Sequence, residues 1–131
     1  MKVTLETSDN LEEFIAKNDT GHEVRLSSNG TAAGPMQTVL MAVAGCSTID
    51  IVMILRKMRQ DIRDIKVEVD GTRRDEVPRV FTAIHLHYKI YGDVKEEKAQ
   101  QAVALSIEKY CSVSKMLEKA AEISTSFEVL D

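Results

Sequence analysis

The chain has 131 residues, of which 44% are apolar and 5% aromatic, with no tryptophan. That is the size of one domain, so a single domain over residues 1–131 is expected, its core filled by Val, Ile, Leu, Met and Ala. A net charge of -4, with basic residues scattered among acids, argues against the basic face that a nucleic-acid partner needs.

The opening "MKVTLETSDN" has no apolar h-region, so no secretory signal is expected. The longest apolar run, Val39 to Cys46, is too short to span a bilayer. A soluble, cytoplasmic protein without a membrane partner is the expectation. Two cysteines in such a compartment are inert core thiols, metal ligands or a redox pair, and not a structural staple.

In chain order, "KVTLE", "EEFIAK" and "HEVRLSS" alternate as short strands separated by turn chemistry, and "SNGTAAG" is a loop of small residues. "PMQTVLMAVAGCSTIDIVMILRKMRQDI" follows. Pro35 suits a first helical position. The segment from Met36 to Met58 is apolar on nearly every face, which places it in a protein's interior. Gly45 marks a break, and Ser47-x-x-Asp50 resembles a capping box. Two helical pieces bent near Gly45, with Cys46 starting the second, are favoured over one straight helix of roughly 35 Å.

"IKVEVDGTRR" and "RVFTAIHLHYKIYG" form a hairpin turning at "RDEVP". Val80, Thr82, Ile84, Leu86, Tyr88 and Ile90 share one face, and Phe81, Ala83, His85, His87 and Lys89 the other. "DVKEEKAQQAVALSIEKYCSVSKMLEKAAE" is helical, with Ala99, Ala102, Val103 and Ile107 on its apolar side and Leu105 beside it. "YCSVS" interrupts it, and Ser112 or Ser114 is the expected cap of a shorter helix. "ISTSFEVL" closes the chain as a strand, with Ile123, Thr125, Phe127 and Val129 to one side. The order of elements reads as α+β, not a regular βαβ series.

Four groups are candidates for chemistry. Cys46, between Gly45 and Ser47-Thr48, is either a small core residue or a thiol activated at a helix start. Cys111 lies at the second helical interruption. Side by side, the two thiols would cycle between dithiol and disulfide if their Cα atoms come within about 7 Å. His85 and His87, at i and i+2 on a strand, would give a zinc site with the cysteines, but a half-exposed strand face is the favoured reading. Arg25, Arg73, Arg74 and Arg79 are available to assist a thiolate on a peroxide. Arg56, Lys57 and Arg59 instead suit the C-terminal dipole of the apolar helix. Met36, Met41, Met53, Met58 and Met116 read as core filler, some near enough to the thiols to line an apolar mouth.

"GPMQTVLMAVAGCSTIDIVMILRKMRQDI", "RRDEVPRVFTAIHLHYKIYG" and "KYCSVSKMLEKA" together resemble the OsmC/Ohr family, and within it the YhfA-like OsmC branch. The resemblance covers nearly the whole chain. It implies an α+β, OsmC-like fold in which antiparallel sheets wrap two central helices as an intertwined homodimer. It implies a thiol peroxidase that reduces organic hydroperoxides without a cofactor or metal. Cys46 takes the peroxidatic place and Cys111 the resolving place, through a sulfenic acid and then a disulfide. The implied reductant is a dithiol, a lipoylated protein in the Ohr branch. The sequence departs from the pattern at Gln37, where the YhfA-like branch usually has Glu. Gln hydrogen-bonds but cannot hold an arginine as an ion pair. Arg25 and Arg79 are the two choices for that arginine. The alternative is an oxidant-responsive or small apolar ligand-binding protein without efficient turnover.

Overall fold

The computed structural model describes all 131 residues, and its backbone contacts divide the chain into two compact units, Met1–Val39 and Leu40–Asp131. The first unit is a three-stranded antiparallel sheet in the order β1 (Val3–Thr7), β2 (Glu13–Asn18) and β3 (Glu23–Ser27). These are the three strands that alternation picks out. After β3 the loop is braced by Ser27, whose Oγ donates to the Ala32 carbonyl at 3.0 Å and accepts from the Ala32 N–H at 2.9 Å. That brace delivers the chain to Gly34 and the start of α1 (Pro35–Lys57).

α1 is one continuous helix of 23 residues, so the expected break at Gly45 does not occur. A single glycine costs a helix interior only about 1 kcal/mol relative to alanine. Ala42, Ala44 and the long apolar side chains around Gly45 outweigh it. α1 ends where Arg59 takes a positive φ of 59°. The Arg59 N–H bonds the Arg56 carbonyl and the Gln60 N–H the Leu55 carbonyl, a Schellman stop made without glycine.

By length and composition alone, α1 is long and apolar enough to cross a membrane. The apolar run from Val39 to Cys46 is shorter only because it ends at Ser47, a polar residue inside the same helix. Within the second unit only one stripe of α1 is buried, made of Val43, Ser47, Ile51 and Leu55. Met41, Ile49 and Met53 on another side are each more than half exposed. Met116 is exposed as well. The uniformly apolar sequence therefore does not bury this helix on all faces, and these methionines are not core filler within the chain.

The second unit carries a sheet in the order β4 (Asp61–Arg73), β5 (Phe81–Asp93) and β6 (Glu122–Leu130). β4 and β5 form the expected antiparallel hairpin. Ile84, Leu86, Tyr88 and Ile90 are buried on one face, as alternation predicts. The pattern reverses at the start of β5, where Phe81 is buried and Val80 exposed. The register shift between Thr72 and Arg73 explains this: Arg73 pairs with Phe81 and Thr72 with Ala83, so Thr82 is an extra residue. A bulge of one residue flips the parity of everything before it.

β6 runs parallel to β5. The sheet is mixed rather than wholly antiparallel. The intervening helices, α2 (Glu96–Leu105) and α3 (Ser112–Leu117), are the crossover that a parallel pair requires. The class remains α+β, with two separate three-stranded sheets.

Candidate functional site

Cys46 lies in the interior of α1, one residue before the buried stripe. The N–H groups around it belong to the helix ladder, so it gains nothing from a helix N-terminus. Ser47 does not cap a new helix. Its Oγ donates back to the Val43 carbonyl at 2.8 Å, as mid-helix serines do.

Cys111 is placed by an irregularity. α2 passes into a five-residue π turn, Ser106–Tyr110, closed by the Cys111 N–H on the Ser106 carbonyl at 2.7 Å. The backbone then opens to an extended conformation at Cys111, and α3 begins. The cap of α3 is Cys111 itself, not Ser112 or Ser114: its Sγ accepts the Ser114 N–H at 3.4 Å. The Ser114 Oγ donates to the Cys111 carbonyl at 3.1 Å. Cys111 is fully buried, while Cys46 is partly exposed.

These two placements bring the thiols together. The sulfurs of Cys46 and Cys111 and one carboxylate oxygen of Asp50 all lie within 4.8 Å of one another. Asp50 follows Cys46 by four residues and so shares its side of α1. A buried polar network ties α1 to its neighbours at this point. The Tyr88 hydroxyl of β5 donates to the Ser47 Oγ at 2.6 Å. The Ser106 Oγ approaches the Ser47 carbonyl at 3.1 Å and the Asp50 carboxylate at 3.3 Å.

Burial pushes the Cys111 thiol above its ordinary value, and the bond and charge of the neighbouring Cys46 sulfur push the same way. The Ser114 hydroxyl and N–H oppose this shift in part. Burial thus favours the protonated form of the Cys111 thiol. Burial also raises Tyr88 to about 12, against the Ser47 hydrogen bond and aided by the charges of Cys111 and Asp50.

Beside the thiols, a pocket of about 320 Å³ is lined by Asp50, Met53, Ile54, Lys57, Met58, Leu105 and Tyr110. Its walls are mainly apolar, with Asp50 at the thiol side and the Lys57 ammonium as the one cation. Two of the methionines expected near the site are here. A larger groove of about 750 Å³ runs between α2 and β6, and no cysteine lines it.

The other candidates have surroundings of their own. Arg79 is exposed in the β4–β5 connection, where its Nε donates to the Arg74 carbonyl at 3.1 Å. Arg73 and Arg74 donate to the Arg79 and Pro78 carbonyls in return. The three arginines brace the hairpin turn, roughly 25–30 Å along β5 from Tyr88. Arg25 is exposed on β3 of the first unit, opposite Ile15. Gln37 is in the first turn of α1, and its Oε1 accepts the Gly34 N–H at 2.9 Å.

His85 and His87 point to the face of β5 opposite Tyr88. They bond the Ser124 and Ser126 hydroxyls at 2.7–2.9 Å and approach Glu128. They form a polar ladder across β5 and β6 and do not join the cysteines. The donor set that could hold a metal ion is instead Cys46, Asp50 and Cys111. Sequence reasoning missed Asp50, Tyr88 and Ser106. Asp50 had a readable signal, its i+4 spacing from Cys46, which the capping-box reading of Ser47 and Asp50 obscured.

Residues 28–126 match the family described as OsmC-like protein. The chain is 48% identical over 120 residues to Protein YhfA of Escherichia coli strain K12, covering 89% of this chain and 90% of that one. A hypothetical protein from Aquifex aeolicus VF5 superposes with a TM-score of 0.90 at 36% identity, covering 99% of this chain and 96% of the other. The organic hydroperoxide resistance protein OhrB of Bacillus subtilis shares the fold, with a TM-score of 0.67 at 20% identity over 97% and 96% of the two chains.

Proposed function

The chain belongs to the OsmC-like protein family, and from that premise we propose that it is a cysteine-based peroxidase acting on organic hydroperoxides. The observation that carries this reading is the approach of the Cys46 and Cys111 sulfurs to within 4.8 Å. A solved structure of the same fold is named an organic hydroperoxide resistance protein, which fits the proposed substrate class.

The Cys46 thiolate attacks one peroxide oxygen, the O–O bond breaks, and the alcohol leaves after taking up a proton. Cys46 is then a sulfenic acid. The Cys111 sulfur attacks the Cys46 sulfur, forming the disulfide. The hydroxyl departs as water with the Cys111 proton. A dithiol such as a lipoylated protein returns two electrons and two protons. Partial exposure of Cys46 and full burial of Cys111 suit this division, since the outer sulfur meets the substrate and the inner one meets the sulfenate. The apolar pocket beside Asp50 receives the organic group of the peroxide.

The working form is proposed to be a homodimer. The exposed stripe of Met41, Ile49 and Met53 on α1 is an apolar surface of the kind that marks an interface. Within one chain Arg79 serves its own hairpin.

The test is turnover of cumene hydroperoxide with a dithiol reductant. Wild type turns over many times. Cys46→Ser abolishes consumption, and Cys111→Ser, treated with peroxide before the dithiol is added, stops at the sulfenic acid. Equal rates for wild type and Cys46→Ser would refute the reading. A second reading, an oxidant sensor with slow turnover, is favoured by one observation. The Asp50 carboxylate stands within 4.8 Å of both sulfurs and forms no salt bridge. A negative charge there does not stabilise a departing alkoxide. One stoichiometric disulfide without further turnover would select this reading.

A further inference from the structure

We propose that the reduced site binds a thiophilic divalent cation of the zinc class, held by the Cys46 sulfur, the Cys111 sulfur and the Asp50 carboxylate. The inference does not depend on peroxidase turnover. It starts from a residue the redox chemistry leaves unused. Cys46 and Cys111 suffice for a dithiol–disulfide cycle, yet Asp50 brings a carboxylate oxygen within 4.8 Å of both sulfurs. The only hydrogen bond to this carboxylate is from Ser106 at 3.3 Å, and no lysine, arginine or histidine neutralises it. Three groups that are each anionic when ionised converge, and the Lys57 side chain that lines the adjoining pocket makes no salt bridge to Asp50.

The geometry suits one ion. Tetrahedral zinc holds sulfur at about 2.3 Å and carboxylate oxygen at about 2.1 Å, so its donors stand roughly 3.5–3.8 Å apart. Donors already within 4.8 Å of each other reach that spacing with small side-chain movements. Two thiolates and a carboxylate are a zinc-type set, too soft for magnesium or calcium. Two of the ligands have partners that fix them. The Cys111 sulfur is oriented by the Ser114 N–H and Asp50 by the Ser106 hydroxyl, the outer support that metal ligands need. The pocket lined by Asp50, Met53 and Tyr110 supplies an entry path and leaves the fourth position to water.

Binding replaces the two thiol protons: the ion enters, up to two protons leave to the solvent, and nothing is oxidised. Both sulfurs are then committed to the metal, so neither attacks a peroxide. The metal is therefore a reversible block of the site, removed by a chelator.

The test uses the full-length reduced protein, freed of metal with EDTA, desalted and kept free of oxygen. Titration with Co²⁺ should give the near-ultraviolet sulfur-to-cobalt charge-transfer band and the intense visible bands of a tetrahedral ion, saturating at one ion per chain. Zn²⁺ should bleach them. Asp50→Asn keeps the side-chain shape and should weaken binding by at least about tenfold, the scale of losing even an outer-shell partner. Cys46→Ser should lose the band. The disulfide form of the wild type should lack it until reduced with a phosphine and desalted, a control that needs no folded variant. No charge-transfer band in the reduced wild type, or unchanged affinity in Asp50→Asn, would overturn the proposal. Peroxide turnover measured in EDTA on the same sample separates the two ideas. Turnover without a cobalt band defeats only the metal site, and a band without turnover defeats only the peroxidase.

Discussion

The side chain of Gln37 closes the first turn of α1. Gly34 stands at the helix cap, Gln37 is three residues on, and its Oε1 accepts the Gly34 N–H. That is the reciprocal half of a capping box. The first turn holds no acid, so Gln37→Glu should keep the bond and add a favourable charge at the positive end of the dipole. We expect a gain of about 0.3–1 kcal/mol, read as a higher urea midpoint at unchanged slope. A lower midpoint would mean that the side chain does not cap. Tyr88 gives a pH test. Its folded pKa of about 12 exceeds its ordinary 10.0, so the folded state holds this proton more tightly. The resulting stability is complete below about pH 10 and is lost as the pH rises toward 12, on the order of 2 kcal/mol. Tyr88→Phe should cost about 0.5–1.5 kcal/mol near neutrality through the lost bond to Ser47. It should also flatten the alkaline fall in melting temperature. An equally steep fall in Tyr88→Phe would assign that fall to other groups, Cys111 first among them.

At the scale of elements, the π turn aims Cys111. Five residues, Ser106–Tyr110, carry one residue more than an α-turn needs before the chain opens at Cys111. Deleting Lys109 would restore α-helical spacing and rotate Cys111 by about 100°. The variant should fold yet form no Cys46–Cys111 disulfide after peroxide, which intact-mass measurement detects. Disulfide formation at the wild-type rate would show that the turn does not position the thiol. Much of this architecture was legible beforehand. Alternation located all six strands, and the interruption at "YCSVS" located the start of α3. Three features were not. Gly45 reads as a break because its local propensity cost of about 1 kcal/mol is visible in the sequence, whereas the burial of Val43, Ser47, Ile51 and Leu55 that overrides it is not. The bulge at Thr82 inverted Phe81 and Val80, since one extra residue leaves no mark in the sequence period. The parallel pairing of β6 with β5 depends on which strand is nearest in space, and periodicity does not encode that. Of the site, the two cysteines were legible as residues and through the family resemblance. Tyr88 and Ser106 were not, because their partners come from another element, and Asp50 carried only its i+4 spacing from Cys46.

At the scale of the whole molecule, α1 leaves Met41, Ile49 and Met53 uncovered within the chain, and the proposed homodimer covers them. Wild type should sediment as a dimer, and Ile49→Lys should shift it toward monomer while leaving the far-ultraviolet spectrum intact. A wild-type monomer at micromolar concentration would remove the dimer from the account. The proposed function requires that Cys46 and Cys111 form one reversible redox pair. Its most direct measurement is the mass of the reduced protein after one equivalent of cumene hydroperoxide, followed by proteolysis without reductant. A reversible pair should lose two hydrogens per chain and give a single cross-linked peptide joining Cys46 to Cys111, reversed by a dithiol. A stable sulfenic acid on Cys46 with Cys111 still free, or a disulfide only between chains, would contradict it.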